Sequence, residues 1–147
     1  CDDLTDNDHN NHKLVNHDFF TNAYFNFVIE TLFENDTCVL SEKTFKPILN
    51  LQPFIIIGNP GSLQLLKDLG YKTFEDVIRE SYDNEYDHRE RLSQLLKISY
   101  DLCNLSDKHH IRIQQIVADV LTHNQQHFLA PKANRINKLL NELEYND

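Results

Sequence analysis

Apolar residues change their spacing near residue 75, and the change separates two kinds of structure. Before that point come short apolar runs divided by turn residues. "FFTNAYFNFVIETLF" (residues 19–33) is dominated by aromatic and β-branched side chains, with Phe25, Phe27 and Ile29 alternating. That pattern predicts a strand ending near Glu30. "ENDT" (34–37) reads as a turn, and Cys38, Val39 and Leu40 as a short strand or extended approach. Ser41 then stands where a helix N-cap belongs, with Glu42 in the first turn of a helix predicted to reach about Leu51. Pro47 falls inside that helix and predicts a kink or an early end. "PFIIIG" (53–58) is a continuous apolar run bounded by Pro and Gly, fitting a strand buried on both faces of a parallel sheet. "NPGS" closes it as a turn, "LQLLKDLG" follows as an amphipathic helix with Gly70 at its C-cap, and "YKTF" (71–74) gives a further extended piece.

Beyond residue 75 the pattern is helical throughout. Leu92, Leu95, Leu96, Ser99, Leu102 and Cys103 recur at three- and four-residue steps. Ile111, Ile113, Ile116, Val117, Val120 and Leu121 do the same behind a Ser106 cap, and a last stretch holds Phe128, Ile136, Leu139, Leu140 and Leu143. "RESYDNEYDHRER" (79–91) reads as a helix start with a solvated face, or as a hydrogen-bonding loop through Ser81, Tyr82 and Asp83. The order strand–helix–strand–helix–strand predicts an α/β fold, a small parallel sheet with flanking helices followed by a helical C-terminal segment. Residues 1–17 carry Asp, Asn and His without apolar periodicity and are expected to form a flexible lead-in. Residues 18–147 are expected to form a single domain, with the sheet in 18–75 and mainly helix in 76–147.

Composition narrows the function classes. The chain has 147 residues, 40% apolar and 25% charged, close to globular averages. Its formal net charge of −9 argues against a sequence-independent grip on nucleic acid, so no nucleic-acid partner is expected. No apolar run is long enough for a transmembrane helix, and the acidic N-terminal stretch does not resemble a signal peptide. Cys1, Cys38 and Cys103 are far apart and follow no zinc-ligand or disulfide pattern. A reducing, cytoplasmic location is the resulting expectation. The absence of Met anywhere, position 1 included, suggests a piece of a longer or processed protein.

Candidate chemistry clusters in the first half. At Ser41-Glu42-Lys43 a helix start would present backbone N–H groups and a partial positive charge to a phosphate, Lys43 adding charge and Glu42 offering a partner for ribose hydroxyls. Ordinary capping explains the same residues. Gly58-Asn59-Pro60-Gly61-Ser62 follows a buried strand and precedes a helix, the place where α/β ligands bind, or simply a turn needing unusual φ. Glu30, beside Thr31, would end its strand at the same crevice. His123 and His127 would share a helical face, but no third ligand is spaced to join them, and no acidic pair is placed to hold a metal. No metal or cofactor is therefore expected. No Ser/His/Asp or Cys/His nucleophile system stands out either.

Taken in order, "FNFVIET", "SEKTFKPI", "QPFIIIGNPGSLQLLKDLGYKTF" and "ESYD" resemble a glycosyltransferase-related family. Its members carry a strand-ending Glu-Thr, a (Ser/Thr)-Glu-Lys-x-x-Lys-Pro helix start, a Pro-Phe-Ile strand ending in Gly, a Gly-(Phe/Tyr)-Lys-Thr-Phe segment and Glu-Ser-Tyr-Asp. The first two motifs are also similar to the donor-binding half of α-1,3-fucosyltransferases. The resemblance covers residues 24–83. It implies the C-terminal, Rossmann-like half of a GT-B architecture, which holds a nucleotide sugar. Carried over by position, it implies Lys43 on a donor phosphate, Glu42 on the ribose, and Glu30 near the sugar or ribose. Thr31 stands where the fucosyltransferase motif has Asn, and Arg79 where an acidic residue precedes Glu-Ser-Tyr-Asp. GT-B enzymes bind the acceptor, and usually place the general base, in an N-terminal domain, so a preceding domain is an implied partner.

Three functions follow as expectations. One is a glycosyltransferase, or its donor-binding domain, moving a sugar from a nucleotide sugar to an unidentified acceptor. A base outside this chain would deprotonate the acceptor, while Lys43 and helix dipoles offset charge on the leaving phosphate. The alternative is a non-enzymatic remnant or partner-binding module that keeps the fold. A nucleotide-binding regulatory domain is a third, weaker reading.

Overall fold

The computed structural model describes residues 20, 22–34 and 37–144, with 131–144 as helix backbone only. The expected lead-in over 1–17 lies outside the described residues. Two strands, β1 (Asn26–Ile29) and β2 (Phe54–Ile57), pair in parallel, with Asn26 opposite Phe54 and Ile29 opposite Ile57. Between them runs helix α1 (Glu42–Leu49), as a parallel crossover requires. After β2 come α2 (Ser62–Asp68), a 3₁₀ turn (Ser81–Asn84), α3 (His88–Cys103) and α4 (Asp107–Glu144). The fold is mixed α/β, with helices concentrated in the second half of the chain.

The local reasons are visible in the sequence. Ser41 caps α1, its hydroxyl accepting from the Lys43 N–H at 3.3 Å. Pro47 lies within α1, which ends at Leu49, two residues before the expected Leu51. Leu51 then turns the chain with a positive φ of 52°. In β2, Phe54, Ile55 and Ile56 are all buried, as the uninterrupted apolar run predicted. Helix α2 ends in a paired turn, with the Gly70 N–H on the Lys67 carbonyl (2.9 Å) and the Tyr71 N–H on the Leu66 carbonyl (3.1 Å). Gly70 allows this with a φ of 90°.

One expectation needs correction, and two open readings are decided. Residues 71–74 add no third strand, because side chains rather than a sheet satisfy their backbone. The Asn124 amide both donates to and accepts from the Lys72 backbone at 2.8 Å, and Glu80 accepts from the Phe74 N–H at 2.8 Å. Of the two readings of Cys38–Leu40, the short strand is not formed and the approach to α1 lies outside any strand, with the Thr37 carbonyl held by the Asn59 amide at 2.6 Å. The stretch 79–91 holds both readings: Ser81–Asn84 is a hydrogen-bonding turn with Tyr82 and Asp83 buried, and the helix start with its exposed face begins only at His88, behind an Asp87 cap.

The core gathers β2, Val28 of β1, Ile48 of α1, Leu63 and Leu66 of α2, and Leu95, Ile98 and Leu102 of α3, with Val117 and Leu121 of α4. On α3 the buried stripe is Arg91, Leu95, Ile98 and Leu102, while Leu92 and Leu96 are exposed. The two predicted C-terminal helical stretches form one continuous α4.

Candidate functional site

Parallel pairing brings the ends of β1 and β2 together, and the predicted residues meet there. Glu30 follows β1 directly, Gly58 follows β2, and a Cβ added at Gly58 would lie only 3.3 Å from the Glu30 Cβ. The start of α1 packs over this junction. Glu30 Oε1 accepts from the Ser41 N–H at 3.0 Å and from the Thr44 hydroxyl at 2.7 Å. Burial pushes the Glu30 carboxyl up, but the hydrogen bonds from Ser41 and Thr44, with Lys43 nearby, hold it below its ordinary value. Lys43 is exposed, its ammonium donating to the Ile29 carbonyl at 3.2 Å. Glu42 is exposed in the first turn, and Thr31 is exposed just beyond Glu30.

The facing wall is the turn after β2. Asn59 is buried and tied to Thr37, and Ser62 donates to the Asn59 carbonyl at 2.7 Å. The Cys38 thiol reaches Ser62 Oγ at 3.5 Å. Gly61, with a φ of 81°, leads into α2. All eight predicted residues, Glu30, Thr31, Ser41, Glu42, Lys43, Gly58, Asn59 and Gly61, therefore lie around the carboxyl ends of two parallel strands, the usual ligand crevice of α/β proteins.

The two helix starts differ in what they leave free. At α2, the Asp83 carboxylate already accepts from the Leu63 N–H (2.9 Å) and the Gln64 N–H (3.0 Å). Burial pushes the Asp83 carboxyl above its ordinary value despite those bonds. An internal anion thus fills the α2 start. At α1 the internal carboxylate, Glu30, sits beneath the helix start on the Ser41 N–H, and the cation Lys43 faces outward.

Sequence reasoning did not assign Thr44, Glu80 or Asp83 to these supports. Glu80 and Asp83 belong to the quoted "ESYD", and their partners lie in the "LQ" and "TF" segments quoted with it. Their joint appearance was the available signal. Arg91 was also missed: its guanidinium stacks over the Phe33 ring at 4.3 Å and donates to the Phe33 and Glu85 carbonyls, anchoring the loop after β1. His123 and His127 place their rings in parallel, with Nε2 atoms at the Gly70 and Leu69 carbonyls, so they tie α4 to the end of α2. Among the described residues no group of three or more His, Cys, Asp or Glu could hold a metal ion, and no helix is long and apolar enough to cross a membrane.

No protein-family model matches the chain, and no curated protein or solved structure matches it.

Proposed function

We propose that this chain is the donor-binding part of a glycosyltransferase, a Rossmann-like half-domain that holds a nucleotide sugar across the ends of β1 and β2. One observation carries the proposal: the "FNFVIET", "SEKTFKPI" and "PFIIIGNPG" stretches that resemble glycosyltransferase motifs meet at the carboxyl ends of β1 and β2, with Lys43 exposed at a helix start. Lys43 and the α1 dipole meet the donor phosphates and offset charge on the leaving group. Glu42 takes the ribose hydroxyls. Glu30, with Oε1 engaged by Ser41 and Thr44, sets the position of the α1 start. The turn Gly58–Gly61 forms the opposite wall, and the phosphates go to α1 because Asp83 already occupies the α2 start. No metal is needed for this charge balance. A separate acceptor-binding domain supplies the general base.

A second reading, a non-enzymatic module with the same fold, is favoured by one feature: Glu30 and Asp83 both spend oxygens on internal hydrogen bonds. A thermal-shift screen against GDP, UDP, CDP, ADP and their sugar conjugates separates the two, because a ligand of the folded state raises the melting temperature. The donor-binding reading expects a rise with one nucleotide, lost in Lys43→Ala, whose fold stays nearly intact. A flat response to the whole panel favours the module.

A further inference from the structure

The sheet's two edges are finished differently. On the β2 side, Ile55 and Ile56 are only 0% and 1% exposed, with Tyr82 buried in the same core cluster. Outside β1, Phe27 and Ile29 are 36% and 64% exposed. In a parallel ladder the backbone groups of alternate residues point to the same side. The Asn26 N–H bonds the Pro53 carbonyl and the Glu30 N–H the Ile57 carbonyl, both at 2.9 Å. Residues 26, 28 and 30 therefore spend their groups on β2, and Phe27 and Ile29 turn theirs outward.

Beside that outer edge runs a trough of about 270 Å³, walled by Phe20, Phe27, Ile29, Lys43, Lys46 and Pro47 among others. Its walls hold two lysines and no acidic residue, in a chain of formal net charge −9. Among the described residues neither lysine forms an ion pair. The outward backbone groups of Phe27 and Ile29, of which the Ile29 carbonyl accepts from the Lys43 ammonium, suit another backbone, and two lysines without an ion pair among the described residues suit carboxylates.

We infer that the outer edge of β1 accepts one extended strand from a polypeptide partner, apolar toward Phe27 and Ile29 and acidic toward Lys43 and Lys46. The incoming backbone pairs with the outward groups of Phe27 and Ile29. Its N–H takes the Ile29 carbonyl in place of the Lys43 ammonium, which turns to a partner carboxylate. The strand covers an edge and a face that a parallel sheet ordinarily keeps buried. The incoming strand and a donor phosphate both call on the Lys43 ammonium, so peptide and nucleotide are expected to compete there.

The test titrates a blocked peptide of alternating Val and Glu into the full chain and follows amide hydrogen exchange residue by residue. Exchange at Phe27 and Ile29 is expected to be fast in the free chain and to slow by about tenfold or more with peptide, while Val28 and Glu30 stay slow throughout. Lys46→Glu should weaken binding by roughly threefold, the scale of a cross-strand charge pair. Phe27→Pro removes an N–H that does not face β2, so it should fold and lose the peptide. Phe27 and Ile29 amides that keep exchanging fast at saturating peptide would overturn the inference. So would protection of both amides in the free chain, and protection that grows with protein concentration alone would give the edge to a second copy instead.

Discussion

Glu30 Oε1 carries two hydrogen bonds at once, from the Ser41 N–H and the Thr44 hydroxyl, and through them one side chain joins the end of β1 to the start of α1. Hydrogen bonds to a buried charged acceptor are among the stronger ones, so Thr44→Val should cost about 1–2 kcal/mol, read as a fall in thermal midpoint. Glu30 also sets an acid limit. Its carboxyl is held below the ordinary 4.5, so its contribution is present above the ordinary carboxylate range and is lost as pH falls through the folded value. Glu30→Gln should flatten that acid limb in a stability-versus-pH series, and a limb unchanged by the substitution would remove Glu30 from the account. Arg91, 1% exposed, meets two carbonyls and an aromatic face with one planar group. Lys cannot reproduce that fork, so Arg91→Lys should destabilise the chain by about 1–3 kcal/mol.

Helix α2 shows how far elements could be read from the pattern alone. Its Gly70 stop and its place after a buried strand were legible, because glycine and a pure apolar run have few alternatives. Its start was read to within one residue, but the group that satisfies it was not legible, because it comes from Asp83, about a score of residues further on, and spacing rules reach only local partners. Asp83→Ala should cost about 1–2 kcal/mol by freeing two N–H groups, whereas Asp83→Asn keeps an acceptor and should cost less. Equal losses for the two variants, measured by denaturant unfolding, would show that the cap is not what Asp83 contributes. The supposed third strand failed for a related reason. "YKTF" has strand composition, but its backbone is satisfied by Asn124 and Glu80, and nothing local distinguishes that from a ladder. The strand ends and the helix start around Glu30, Ser41 and Gly58 were legible because each follows from local capping or turn chemistry.

At the scale of the whole molecule, α4 holds the α/β part from outside through polar side chains set among its apolar ones. Asn124, 1% exposed, brackets the Lys72 backbone, Gln125 donates to the Leu49 carbonyl at 2.8 Å, and Gln114 to the Tyr24 carbonyl at 2.8 Å. These contacts reach the last residue of α1, the segment that follows α2 and the one that precedes β1. Asn124→Ala removes the partner of both the N–H and the carbonyl of Lys72 and should cost about 1–2 kcal/mol, seen as loss of exchange protection at the Lys72 amide. The frame so held keeps the α1 start at the carboxyl end of β1, and the central claim is that a nucleotide's phosphates bind there at Lys43. Calorimetric titration of the folded chain with the nucleotide sugar selected by thermal shift, beside Lys43→Ala, tests it most directly. The account predicts saturable binding to the parent chain and none to the variant, with both equally folded. Equal affinity for the two chains, or no binding of any nucleotide sugar to the parent, would contradict it.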